Sequence, residues 1–170
     1  MKDSLILIGM PGSGKSTVGV LLAKTLCLGF DDTDLVIQDR GQRTLQQIII
    51  EEGLDGFIAR ERKAVLSLVP HRQVIATGGS VVLSPDAMDH LRQYGPLIYL
   101  DVPIEVLERR IRNIRMRGIV LESGQTLRDV ASIREPMYLR YADYVIHENH
   151  LSLEQVVSKA AGWYRQIGRT

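Results

Sequence analysis

The sequence predicts an α/β protein, a five-stranded parallel sheet flanked by helices in three layers. Three observations carry that expectation. Short apolar runs alternate with helical patterns along the whole chain, as in sheets whose crossovers are helices. The runs are apolar throughout rather than alternating, which fits strands covered on both faces. Between the first such run and the first helical pattern stands Gly9-Met10-Pro11-Gly12-Ser13-Gly14-Lys15-Ser16-Thr17, which fits G-x-x-x-x-G-K-[ST]. The length of 170 residues, with 45% hydrophobic and 24% charged residues, suits one domain spanning 1–170.

The elements follow in order. Strands are expected at 5–8, 29–31, 74–77, 97–100 and 144–146. Helices are expected at 15–26, 34–40, 45–52, 54–68, 85–93, 104–112, 125–141 and 152–167. Residues 116–124 are weakly patterned, hold two glycines and are the natural candidate for a lid. In parallel sheets, ligands bind beyond the carboxyl ends of the strands. Four of the five strand ends carry chemistry here: the glycine-rich loop, Asp32-Thr33-Asp34, Thr77-Gly78-Gly79-Ser80, and Asp101.

Composition narrows the partners. A net charge of +1 gives no reason to expect a nucleic-acid or membrane surface. The single cysteine, Cys27, excludes an internal disulfide, fits a reducing compartment and reads as a small buried apolar residue. No apolar run is long enough for a membrane span or a signal peptide, so a cytoplasmic location is expected.

The glycine-rich loop predicts a nucleoside triphosphate site. Its glycines let backbone N–H groups close around phosphate, aided by the dipole of the following helix. Gly12, Ser13, Gly14, Lys15, Ser16 and Thr17 are the candidate nucleotide-binding residues, with Lys15 reaching the β/γ-phosphates and Ser16 ligating Mg²⁺. The carboxylates of Asp32 and Asp34 point the same way on extended backbone. One suits the water shell of Mg²⁺ and the other suits accepting a proton from an attacking hydroxyl. The same pattern also fits a helix N-cap. Gly78 and Gly79 permit close backbone approach to a ligand, and equally fit a plain turn. Arg109, Arg110, Arg112, Arg115 and Arg117 form a basic run. Arg117, at the lid edge, best suits clamping a transferring phosphoryl group. Arg134, taken alone, reads as a surface charge.

Together these pieces resemble the shikimate kinases over nearly the whole chain. The resemblance rests on the phosphate loop, Asp32–Asp34, Phe57 with Glu61, the Ala-Thr-Gly-Gly at 76–79, Arg110 and Arg117, and Arg134-x-Pro136-x-Tyr138. It implies a P-loop kinase fold with an acceptor-binding helical segment at about 33–61 and a lid at about 112–124. It further implies ATP and Mg²⁺ as cofactors, Lys15, Asp34 and Arg117 as catalytic residues, and Ser16 and Asp32 at the metal. Arg110 would stack on adenine, while Asp34, Gly78, Gly79 and Arg134 would bind the acceptor. A monomer acting on a small molecule in aromatic amino-acid biosynthesis is the expectation.

The sequence departs from the family pattern at three places. Ile58 stands where the family has a carboxylate-binding arginine, Ser80 stands for a third glycine, and Arg117-Gly118-Ile119-Val120 replaces the usual lid motif. Arg60 or Arg62 could replace the missing cation and partner Glu61. The alternatives are a kinase for another small hydroxylated acid, amino acid or polyol, a nucleoside-monophosphate kinase, or a catalytically silent nucleotide-binding regulator.

Overall fold

Strand β1 (Leu5–Ile8) is buried along its whole length, as an unbroken apolar run requires. Its side chains divide by the two-residue period of a strand. Leu5 and Leu7 enter one core cluster, Ile6 and Ile8 the other. The computed structural model describes residues 2–112 and 124–168. Around β1 lie β2 (Gly29–Asp32), β3 (Gln73–Ala76), β4 (Leu97–Asp101) and β5 (Tyr144–His147). All pairings are parallel and the strand order is β2-β3-β1-β4-β5.

Helices α1 (Lys15–Leu26) and α7 (Leu153–Ile167) cover the face that holds Leu5, Leu7, Val74 and Ile98. The other face is covered from α3 (Leu45–Leu66), α4 (Pro85–Arg92), α5 (Ile104–Arg112) and α6 (Leu127–Tyr141). Helix α2 (Thr33–Gly41) packs on α3 through a small core of its own, including Ile37, Ile48 and Phe57. This side cluster leaves the cavity between α2–α3 and the strand ends. Among the described residues no helix is long and apolar enough to cross a membrane.

The structure departs from the sequence expectations in instructive ways. The edge strand β2 is Gly-Phe-Asp-Asp and only partly buried, so continuous apolarity holds for the central strands alone. By contrast, the two helices expected at 45–52 and 54–68 are both present and meet at a kink at Gly53, φ 70° and ψ −174°, within the stretch labelled α3. A short 3₁₀ turn at Val81–Leu83 follows β3, where no element was expected. Cys27 is exposed rather than buried. It closes α1 in the left-handed conformation, φ 55°, and its N–H bonds back to Ala23 and Lys24 carbonyls.

Candidate functional site

A cavity of about 860 Å³ opens beyond the carboxyl ends of the central strands. The glycine-rich loop forms one wall, and α2, α3 and α6 supply the other. The loop leaves β1 and delivers Gly14, φ 87°, as the N-cap of α1. That left-handed conformation is open to glycine and starts the helix at Lys15, with its first N–H groups facing the cavity end.

Lys15 is buried inside the loop. Its ammonium donates to the carbonyls of Gly9 and Met10, both at 2.8 Å, and to Ser13 Oγ at 3.3 Å. Burial pushes it down to about 8, against the attraction of Asp34, Asp32 and Glu61. Ser16 Oγ donates to Asp32 Oδ2 at 2.5 Å. Asp32 Oδ1 accepts the Asp34 N–H at 2.9 Å and so caps α2. The two readings of Asp32 are therefore compatible: one oxygen caps the helix and the other faces Ser16. A hydroxyl and a carboxylate oxygen side by side are hard donors of the type that Mg²⁺ accepts.

Asp34, on the first turn of α2, lines the cavity. Its Oδ1 is buried and has no hydrogen-bond partner among the described residues. Burial pushes its carboxyl up to about 6, with Asp32 adding to the rise and Lys15 opposing it. A carboxylate so placed is poised to take a proton near neutrality. Arg134 is only 7% exposed, so it is not a surface charge. It reaches from α6 and donates to the Gly79 carbonyl at 3.2 Å, and Tyr138 OH, one helical turn on, donates to the same carbonyl. Gly79 lies on the wall, whereas Gly78 lies behind it with its N–H donated to Thr33 Oγ1 at 2.9 Å.

Two further expectations resolve at α3. Arg60 pairs with Glu52, and Arg62 pairs with Asp86. Neither lines the cavity or meets Glu61. Glu61 is fully buried, and its Oε2 accepts from Ser80 Oγ at 2.6 Å. Ile58 is half-buried and stands off the cavity wall. Among the described residues lining the cavity, the cations are Lys15, Arg110 and Arg134, and only Arg134 faces the α2–α3 side.

At the opposite end Arg110 donates to the Gly12 carbonyl at 3.1 Å and pairs with Glu148 at 3.5 Å. Glu148, Leu151 and Val156 line this end. Sequence reasoning missed Glu148, which lines the cavity only because β5 ends beside the loop. Gln38 and Leu54 also line the α2–α3 side without any motif to mark them. Arg117 and nearly all of the expected lid lie outside the described residues.

Comparison with known proteins matches this architecture. The family model for shikimate kinase matches residues 11–164. Shikimate kinase 2 of Yersinia enterocolitica is 36% identical over 155 residues, covering 86% of this chain and 87% of its own. Shikimate kinase of Francisella tularensis subsp. novicida is 34% identical over 160 residues, covering 92% of this chain and 91% of its own. Among solved structures, shikimate kinase from Acinetobacter baumannii in complex with shikimate superimposes with a TM-score of 0.88 at 30% identity, covering 96% of this chain and 93% of that one.

Proposed function

We propose, from the premise that this chain belongs to the shikimate kinase family, that it transfers the γ-phosphoryl group of ATP to a hydroxyl of shikimate. The observation that carries this reading is the placement of Asp34. Its carboxylate, with one oxygen unpartnered among the described residues, shares one cavity with the glycine-rich loop on one side and Arg134 on the other.

The roles follow from position and charge. Gly12 to Thr17 line the phosphate end, and the Lys15 ammonium would leave its loop carbonyls for the β/γ-phosphates. Ser16 and Asp32 would hold Mg²⁺, which neutralises phosphate charge when bound. Arg110 would lie against the base, with Glu148 orienting its guanidinium. Arg134 would bind the acceptor carboxylate, and the Gly79 backbone would flank it. Asp34 would take the proton of the acceptor hydroxyl as that oxygen bonds to phosphorus and the bond to the ADP oxygen breaks. Arg117 is assigned to the charge on the transferring group. The acceptor segment is about 33–61 and the lid about 112–124, within one domain over 1–170. A cytoplasmic monomer remains part of this proposal, as the sequence led one to expect.

ADP release coupled to ATP–Mg²⁺ turnover, with and without millimolar shikimate, tests the reading. Saturable shikimate-dependent turnover is expected. ATP binding without such turnover would overturn shikimate as the acceptor. It would send the search to other small hydroxy acids, because among the described residues Arg134 alone stands on that side of the cavity, where the family pattern has two arginines.

A further inference from the structure

Among the described residues, the roles above leave the fully buried carboxyl of Glu61 unused. Glu61 projects from α3 beneath the turn at 78–80 and is 0% exposed. Its Oε2 is held by Ser80 Oγ, and its Oε1 has no hydrogen-bond partner among the described residues. That free oxygen lies against Gly78 so closely that a Cβ there would sit 1.9 Å from it. The same point is 2.9 Å from Asp34 Oδ1, the other buried side-chain oxygen without a hydrogen-bond partner among the described residues. Two carboxyl oxygens thus converge on one spot, separated by a residue with no side chain.

Glu61 is faced by Asp34 from α2, Lys15 from α1, Arg134 and Tyr138 from α6, and Ser80 from the turn. No cation is in hydrogen-bond contact with it among the described residues. Arg60 and Arg62, its neighbours on α3, are taken by Glu52 and Asp86. A buried carboxylate with one orphaned oxygen and a like-charged neighbour favours its neutral form.

We infer that Glu61 is a positioning residue for the acceptor that works uncharged: through Ser80 it anchors the turn carrying Gly79, and by staying neutral it keeps a second negative charge from beneath a site that receives an anion. Ser80 lines the cavity and Glu61 does not, so the influence passes through the turn and through the field. Burial pushes Glu61 up to about 7, and the Ser80 bond opposes that rise. Loss of the proton places negative charge beside Asp34 and repels an acceptor carboxylate held by Arg134.

The inference rests on the phosphotransfer reading, so its test has two arms. In the first, the KM for shikimate is measured against pH. In the wild type it rises above about pH 7, approaching about tenfold per pH unit as one proton is linked to binding. In Glu61→Gln, which keeps an acceptor for Ser80 and cannot ionise, that rise disappears. In Ser80→Ala the rise moves to higher pH, because a bond favouring the ionised form is gone. The KM for ATP serves as the control for Lys15. A shikimate KM profile of Glu61→Gln that matches the wild type overturns the inference, as does a break unmoved in Ser80→Ala.

The second arm needs no substrate. Infrared difference spectra between wild type and Glu61→Gln report the protonated carboxyl band of Glu61 directly during a pH titration. A band that fades through neutrality supports the inference, and an ionised Glu61 throughout overturns it. Absence of shikimate turnover in the wild type would defeat the phosphotransfer reading while leaving this arm to decide the state of Glu61.

Discussion

Asp34 bears its charge against burial and against Asp32, with Lys15 offsetting only part of the penalty. Its proton affinity is raised, so the base is lost as pH falls. The kcat for phosphoryl transfer is therefore expected to decline below about pH 6, steepening toward about tenfold per pH unit. Asp34→Asn should lower kcat roughly 10²–10⁴-fold and abolish that acid limb. A kcat profile for Asp34→Asn that keeps the limb would place the base elsewhere. Arg134 makes a separate contribution. With no second acceptor-side cation lining the cavity among the described residues, Arg134→Ala leaves the acceptor carboxylate unpaired. Losing one member of such a pair costs about 2–5 kcal/mol, or roughly 30- to several-thousand-fold in shikimate KM. ATP KM should move far less, and equal changes in both constants would argue against the assignment. Residues in contiguous motifs, Lys15, Ser16 and Asp32, were legible because loop, strand end and helix start lie within a short stretch of chain. The bond from Ser80 to Glu61 was not legible, because it joins two elements whose meeting depends on the packing of α3 under the turn. Arg134 was ambiguous for the same reason: its burial comes from contacts with a strand end distant in sequence.

Helix α3 shows how one element serves two partners. Its first half begins at a capping box in which Thr44 and Gln47 satisfy each other's backbone N–H groups. Its second half carries Phe57 into the side core and Glu61 beneath the turn. Gly53 divides the halves, and Glu52 just before it receives both Arg43 and Arg60. The backbone at Gly53 occupies a region that side chains rarely tolerate. A Cβ there would meet open space, so the obstacle is conformational and not steric. Gly53→Ala should cost about 1–3 kcal/mol in denaturant stability or straighten the bend. Either result shifts Leu54 and Phe57, so shikimate KM should rise more than ATP KM. An alanine variant with wild-type stability and constants would show that the bend is incidental. Helix periodicity and Gly53 made both halves readable from sequence. The ion pair that spans the bend, Arg60 with Glu52, was not readable, because ion pairs leave no periodic trace.

At the scale of the whole molecule, the class and strand count were legible because the central strands are buried on both faces. The edge strand β2 was weaker in the sequence, since it packs on one neighbour and spends its last residue capping α2. Strand order was not readable at all. Nothing local specifies that β3 and β4, and not β2, flank β1; the choice is made by crossovers packing on the two faces. This order has a consequence for how the protein comes into being. Leu5 pairs with Val74 and Ile6 with Leu97, so the strand that launches the phosphate loop gains both neighbours only from segments far along the chain. Such distant pairings slow folding. A nascent chain that stops short of Leu97 holds every residue of the loop yet lacks the frame that shapes it. A nucleotide bound at the loop would therefore reward only a chain in which β3 and β4 already flank β1, stabilising the assembled sheet by mass action.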